Sequence, residues 1–445
     1  MRPSSALLAA LVCAALTLAL AACGEDGREP EERESAHPWS IGRNERSQVG
    51  EGRWLRRPVE EPPPEERDLE RLEAIGYLRG SRLAEREGGV AVHRRDSAYA
   101  APNLYVSGHA PEAVLMDMDG RTLHRWKRSF WEVWPDAAIP RSRLGTQWWR
   151  RVRLLENGDL IAIFEGQGIV RLDKDSRLIW ANPIHAHHDL DVAPDGSLWV
   201  LAREAHVLPR IDRNEPVLED FAVQLDPGGT ELRRFSLLEA FERSPYAEWL
   251  ADRPVRVGDV FHTNTLRRLD GRAQAVHPAF REGNLLISVL HLSAIAVVDP
   301  EARAVVWAHR GDYREQHDPR VLDGGRILLF DNVGAGERSR VLELQLPEMT
   351  LRWSYGGSED QPLYSRYLGA VQPLPNGNVL ITESEPGRAL EVDRSGRIVW
   401  EFYNPHRAGE RGELVATLAE LVRLPPDFDV SWASAAPEAR LERRH

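Results

Sequence analysis

The sequence predicts an all-β protein, a six-bladed β-propeller with four-stranded antiparallel blades. Three observations carry this. A pattern of four short apolar runs separated by turn residues recurs six times between about residue 88 and residue 404. Each copy closes on an aromatic residue: Trp126, Trp180, Phe235, Trp307, Trp353 and Trp400, at intervals of 54, 55, 72, 46 and 47 residues. The runs are bounded by Asn-Gly, Asp-Gly and Ser-Gly pairs, the residues of tight hairpin turns. Four strands in about 45 residues is the period of a propeller blade, not of a helical solenoid.

The last copy is the cleanest. Gly369-Ala370-Val371-Gln372-Pro373-Leu374 runs into the turn Pro375-Asn376-Gly377, then the runs 378–382 and 389–392, the turn 393–396 and the closing run 397–402. The third and fourth copies are longer, with insertions expected around 203–220, 236–260 and 271–282. Beyond Pro405 a tail of residues 405–445 is expected, with an apolar run 414–418; a return over the first blade is left open.

Ahead of the blades the chain opens with Met1-Arg2, an apolar run from Ala6 to Ala22, and Cys23. The run is too short for a spanning helix and reads as a signal peptide over residues 1–22. Leu20-Ala21-Ala22-Cys23 resembles the bacterial lipobox, in which the cysteine becomes the acylated first residue. Cys23 is therefore the expected lipidation site and the link to a membrane. Gly24 next to it is the pattern of lipoproteins not retained at the inner membrane. The expected location is the outer membrane of a Gram-negative bacterium, facing the periplasm. Residues 24–64 are rich in Glu, Arg, Pro and Ser and bury too little apolar area to fold alone. They read as a tether, followed within 23–87 by a short helix at 67–78.

The only other cysteine, Cys13, lies in the signal segment, so the mature chain has no disulfide to form. A net charge of -12 argues against a nucleic-acid partner.

The chemistry lies in the repeats. Gln316-His317-Asp318 and His187-His188-Asp189 each begin a copy, with His317 and His188 eight residues before the turn glycines Gly325 and Gly196. Phe261-His262-Thr263-Asn264 begins another. Arg150 has the same offset before Gly158, and Gly369 before Gly377. The first strand of a blade lines the central channel. Repeat equivalence therefore predicts that His188, His262 and His317 meet at one mouth of it, with Arg150, in a basic pocket suited to an anionic ligand.

His317 is the sharpest candidate: an oriented imidazole can act as a nucleophile towards sulfuryl or phosphoryl centres, the alternative being a channel histidine that bonds neighbouring backbone. Strand alternation puts only one of His187 and His188 on the channel, and the match with His317 selects His188. His187 then stands behind it, and Asp189 orients an imidazole through its second nitrogen. His262 and Asn264 share a face and are read either as donors to anionic oxygens or as a turn asparagine beside a satisfied histidine. The rival chemistry is a zinc site on the three histidines with an open position for water. No local HExxH-type motif supports it, and neither a metal nor a cofactor is expected. Trp148-Trp149, at the start of a first strand, either stack on an aryl group or belong to the core; the core reading is preferred.

With these residues in place, the chain resembles the bacterial aryl-sulfate sulfotransferase family over about residues 100–404. The matching pieces, in order, are His187-His188-Asp189, Phe261-His262-Thr263-Asn264, Gln316-His317 with Phe330-Asp331-Asn332 and Ser339-Arg340, and Leu374-Pro375-Asn376-Gly377-Asn378. The resemblance implies a six-bladed propeller that moves a sulfuryl group from an aryl sulfate to a phenol through a sulfohistidine, without the nucleotide donor PAPS. It implies that His317 is the nucleophile. It further implies that His188 (or His187) and His262 hold the sulfuryl and phenolic oxygens, with Asn264 beside them. One departure stands out. The family places an arginine just before a histidine where this chain has Leu290-His291. Arg150, Arg314, Arg340 and His291 are the candidates to take over that arginine's oxyanion contact. The family's N-terminal β-sandwich has no counterpart, and its active-site threonine is not identified. The alternative from a different class is a non-catalytic propeller lipoprotein that binds a ligand or a protein.

Overall fold

The computed structural model describes residues 86–433, apart from 215, 252–257, 335, 337 and 410–411. The signal peptide, Cys23, the tether and the helix expected at 67–78 lie outside the described residues.

The described chain is a six-bladed propeller of four-stranded antiparallel sheets. From inner to outer strand, blade 2 is Trp149–Leu154, Leu160–Phe164, Gly168–Leu172 and Leu178–Asn182. Blade 3 is Ala186–Val192, Leu198–His206, Val217–Leu225 and Glu231–Ser236. Blade 4 is Thr263–Arg268, Leu285–Val289, Ala294–Asp299 and Ala304–Arg310. Blade 5 is His317–Leu322, Arg326–Asp331, Arg340–Gln345 and Thr350–Tyr355. Blade 6 is Ala370–Pro373, Val379–Glu383, Arg388–Val392 and Ile398–Tyr403, with Gly89–His93 added as a fifth, outermost strand.

Blade 1 is built from both ends of the chain. Its outer three strands are Asn103–Ser107, Glu112–Met116 and Thr122–Lys127, but its inner strand is Leu418–Arg423. The propeller therefore extends to residue 423, past the boundary at 404 read from the sequence. The segment expected as a tail closes the ring. Nothing local marks this role. The strand Leu-Ala-Glu-Leu-Val-Arg finds its partner more than 300 residues away in sequence.

Burial follows the blade interfaces. The six apolar clusters each join two neighbouring blades, from Trp126, Trp149 and Leu160 between blades 1 and 2 round to Leu380, Phe402 and Tyr105 between blades 6 and 1. The closing tryptophans reach across the same seams. Trp126 donates its indole N–H to Gly158 O (3.1 Å), Trp180 to Pro227 O (3.1 Å), Trp353 to Arg394 O (3.1 Å) and Trp400 to Met118 O (2.9 Å). Each covers its neighbour's apolar surface and satisfies its one polar atom on that neighbour's turn.

The insertion expected at 203–220 is instead a lengthened hairpin, with pairing continuous out to His206 opposite Val217. The one at 236–260 carries the short helix Leu237–Glu242, capped by the Ser236 hydroxyl.

Below the mouth, the channel is filled by charge. Arg151 pairs with Glu420. Arg153 lies 3.0 Å from Glu420 and 3.2 Å from Asp189. Arg267 is 2.9 Å from Asp318 and 3.4 Å from Asp189, and Arg320 is 3.1 Å from Asp318. Blades 1 to 5 all contribute to this network. Asp189 and Asp318 also accept the backbone N–H of the next blade's inner strand, Leu266 at 3.1 Å and Val371 at 2.9 Å. Buried carboxylates and guanidinium groups are tolerated because each is paired and hydrogen-bonded.

Candidate active site

The inner strands of blades 2 to 5 begin at one face, and each is bulged there. Pairing slips between Trp149 and Arg151, between His187 and Leu190, between Thr263 and Thr265, and between His317 and Arg320. Three residues at these starts take left-handed backbone: His188 (φ 53°), His262 (φ 50°) and Asp318 (φ 51°). Non-glycine residues adopt this region at a cost, and such positions concentrate where side chains must be re-aimed for function. Blade 6 puts Gly369 at the same place with φ 108°; a Cβ there would stand 2.6 Å from the Phe330 ring. The imidazoles therefore form a crescent over blades 3 to 5 that blade 6 does not extend.

His188, His262 and His291 form a chain of rings. The centroids of His188 and His262 are 4.8 Å apart, edge to face, and those of His262 and His291 are 5.6 Å apart. His317 stands close enough that the charges of Arg150 and His262 bear on it. Its Nδ1 faces two acceptors, Glu315 O at 2.8 Å and Asn332 Oδ1 at 2.9 Å. The Asn332 amide cannot be turned round, because its Nδ2 donates to Ser365 O (2.8 Å) and Leu368 O (2.6 Å). Nδ1 must then carry the proton, and Nε2 keeps a bare lone pair. Burial, and then the Arg150 charge, lower the His317 pKa to about 3, so the ring is neutral at pH 7.

His262 is anchored by an acid three residues upstream. Its Nδ1 lies 2.7 Å from Asp259 Oδ2, and its backbone N–H donates to Asp259 Oδ1 at 2.9 Å. Burial alone would raise the Asp259 carboxyl; the charge and hydrogen bond of His262, with His291 and Arg203, hold it well below the usual range. His291 donates from Nδ1 to Asp259 O (3.1 Å). Leu290 opens the tight turn that carries His291.

His187 and His188 do not split between two faces as strand alternation predicts. The bulge brings both rings together, with their Nδ1 atoms 2.8 Å apart. Asp189 orients no imidazole. Its oxygens go to Arg151, Arg153, Arg267 and backbone N–H groups in the channel. Glu165, from blade 2, takes the supporting place. It accepts the His188 backbone N–H (3.0 Å) and pairs with Arg203 (2.9 Å).

The remaining expected residues divide. Arg150 is buried with the imidazoles, and its charge lowers both His188 and His317. Asn264 is buried and donates to Gln316 O at 2.8 Å, which holds the strand entering His317. Arg340 sits on Asp331 (2.7 Å) and Asp312 O (3.2 Å), and among the described residues no hydrogen bond ties it to the imidazoles. Trp148 and Trp149 are core, packed between blades 1 and 2. Sequence reasoning missed Glu165, Arg203 and Asp259 and assigned no role to Asn332. Only Asp259 carried a local signal, an acid three residues before a site histidine.

Glu165, His187 and His188 bring ligand atoms within 4.8 Å of one another, the arrangement a metal would need. They do not fit one. Glu165 Oε1 is held by the Arg203 guanidinium and Oε2 by the His188 N–H, and the two imidazoles bond each other. Arg150 and Arg203 add positive charge against a divalent cation. In this structure the set is a hydrogen-bonded cluster.

Among solved structures, the chain is similar to a protein of unknown function from Bacteroides caccae (12% identity, TM-score 0.44, covering 73% of this chain and 98% of that one). It is also similar to the WD40 β-propeller domain of Doa1 (12%, TM-score 0.40, 77% and 94%). A third likeness is to a streptogramin B lyase (10%, TM-score 0.42, 76% and 97%). No curated protein matches it. The family model described as arylsulfotransferase (ASST) matches residues 151–405, more than half of the 445-residue chain, from the third residue of blade 2 through the last strand of blade 6, with every imidazole of the site. The chain belongs to the arylsulfotransferase (ASST) family.

Proposed function

We propose that the protein transfers a sulfuryl group from an aryl sulfate to a phenol through a sulfohistidine at His317. One observation carries the proposal: a neutral imidazole whose Nδ1–H is held by two acceptors, leaving Nε2 as a fixed lone pair. In the first half-reaction Nε2 attacks sulfur in line, forming an N–S bond as the S–O bond to the aryl oxygen breaks. Sulfonation makes Nδ1–H more acidic, and Glu315 O and Asn332 Oδ1 take up that charge. Arg150 supplies positive charge to the sulfuryl oxygens in the place of the arginine that Leu290 lacks. His262, oriented by Asp259, hands a proton to the leaving phenolate. In the second half-reaction it takes a proton back from the acceptor phenol, whose oxygen forms the new S–O bond as the N–S bond breaks. The proton count closes over the cycle. Positioning and fixed charge supply most of the rate, as in phosphoryl transfer.

The test is the intact mass of the protein after brief mixing with p-nitrophenyl sulfate, with His317→Ala in parallel. A gain of about 80 Da on the unmutated protein alone is expected for a covalent sulfuryl intermediate. A folded protein that binds the ester without adduct or released nitrophenol favours the second reading, a binding propeller. The observation behind that reading is the apolar Leu290. Loss of turnover on chelation would instead favour a metal-dependent hydrolase. Acylation at Cys23, with an outer-membrane location facing the periplasm, belongs to the same proposal. It is tested by labelled fatty-acid incorporation that Cys23→Ser abolishes.

A further inference from the structure

Behind His188 runs a line of buried groups that the proposed transfer does not use. Asp220, on the third strand of blade 3, accepts the Thr263 backbone N–H at Oδ2 (2.7 Å). Its Oδ1 stands 3.4 Å from His187 Nε2, within ion-pair range but short of a formed hydrogen bond, and that nitrogen has no hydrogen-bond partner among the described residues. His187 Nδ1 is 2.8 Å from His188 Nδ1. All three side chains are buried. Two facing Nδ1 atoms need one proton between them, so the line has two self-consistent arrangements. With Asp220 ionised, His187 points Nε2–H at the carboxylate and accepts at Nδ1 from His188, whose Nε2 is then a bare lone pair. With Asp220 protonated, the carboxyl donates to His187 Nε2, His187 donates from Nδ1 to His188 Nδ1, and His188 carries its proton on Nε2. Both imidazoles stay neutral in both arrangements.

Resting on the reading of the site as a sulfate-ester pocket, we infer that Asp220 sets, through His187, which nitrogen of His188 carries the proton. Only the arrangement with Asp220 protonated offers a pocket-facing N–H to a sulfuryl oxygen; the other turns a lone pair on it. Asp220 is a positioning residue, acting on substrate through two rings.

The surroundings favour a neutral line. His187 faces Asp220 and His188, with Arg203, Glu165, Asp259 and His262 close by. His188 faces His187, Glu165 (3.4 Å) and His262, with the charges of Arg150 and Arg203. Burial and these positive charges lower both imidazoles, His187 to about 3, so neither stores a proton as imidazolium. Asp220 does the reverse. Burial, and then the Asp259 charge, raise it to about 7, although Thr263 and Arg203 pull the other way. The group in the line whose proton affinity burial and a neighbouring negative charge raise is thus the acid at its end.

The experiment uses the full chain, 15N-labelled at histidine, with Asp220→Asn and His187→Phe as variants. Long-range 1H–15N spectra read the His188 tautomer against pH without substrate, and steady-state kinetics with p-nitrophenyl sulfate read KM and kcat separately. In the unmutated protein His188 is expected to move from Nε2–H to Nδ1–H as pH rises through about 7. KM should rise about tenfold per pH unit above that point, because the binding-competent fraction falls by that factor. Asp220→Asn, whose amide N–H still donates to His187, should hold Nε2–H and a flat KM. His187→Phe leaves the Asp220–Thr263 bond in place and should make the tautomer independent of pH. A His188 tautomer that does not titrate, or that titrates alike in Asp220→Asn and the unmutated protein, overturns the inference. So does a pH-dependent KM unchanged in both variants. A tautomer that behaves as expected in a protein that never turns over the ester would uphold the control of His188 and overturn the sulfuryl-transfer reading instead.

Discussion

Replacing Glu420 by Gln should destabilise the whole propeller, and the size of the loss can be reached in two ways. Glu420 lies on the strand that closes the ring, is 2% exposed, and carries the only blade 1 carboxylate in the charged channel network described above. Arg151 pairs with it, Arg153 is 3.0 Å away and Arg320 4.0 Å. Removing one partner of a buried pair leaves uncompensated charge, at roughly 3–5 kcal/mol. The second route is linkage. Burial alone would raise the Glu420 pKa, but Arg151 and Arg153 pull it from 4.5 down to about 2. A gap of that size corresponds to about 3 kcal/mol. Because the folded value is depressed, this contribution is fully present above the unfolded pKa and is lost as pH falls through the folded one. Urea unfolding of Glu420→Gln at pH 7 should therefore show a loss of about 3 kcal/mol or more. The difference from the unmutated protein should shrink as pH falls from 5 towards 2. A loss below about 1 kcal/mol, or one that does not shrink in acid, would refute the reasoning, since a well-packed neutral network would then be as good as the ion pairs.

Two further outcomes bear on the site. Arg150→Gln should cut kcat/KM for an aryl sulfate by roughly 10²–10³, the usual effect of losing one oxyanion contact. It should also raise the His317 pKa, read by histidine NMR, because Arg150 is the strongest charge acting on it. Asp259→Asn removes the carboxylate on His262 Nδ1 and should lower kcat by roughly 10³–10⁴ with the fold intact, as expected when a catalytic imidazole loses its orienting acid.

What was legible in the sequence follows from locality. A strand, a turn glycine and a closing tryptophan are each specified within about ten residues, so six repeats written one after another announce six blades. Repeat equivalence also carried the gathering of His188, His262 and His317, because the same register in each blade leads to the same end of the channel. Where reasoning from alternation failed, the cause is the bulge. Period-two logic put His187 and His188 on opposite faces, and the acid next to them in sequence was read as orienting an imidazole. One left-handed residue, His188, breaks the period, brings the two rings into contact and sends Asp189 down into the channel.

The sequence by itself determined the blade count, the turn positions, the channel-facing strands of blades 2 to 6 and three of the site's histidines. Hairpin pairing and apolar alternation act over a few residues, and the repeats multiply their signal. Only the tertiary structure decided which partners those histidines have. Asn332 on His317, Glu165 and Arg203 behind His188, and Asp220 behind His187 come from other strands or the next blade. So does Leu418–Arg423 as the inner strand of blade 1. A closed ring places residues far apart in sequence side by side, and buried polar atoms then pair with whatever donor or acceptor the neighbouring blade presents.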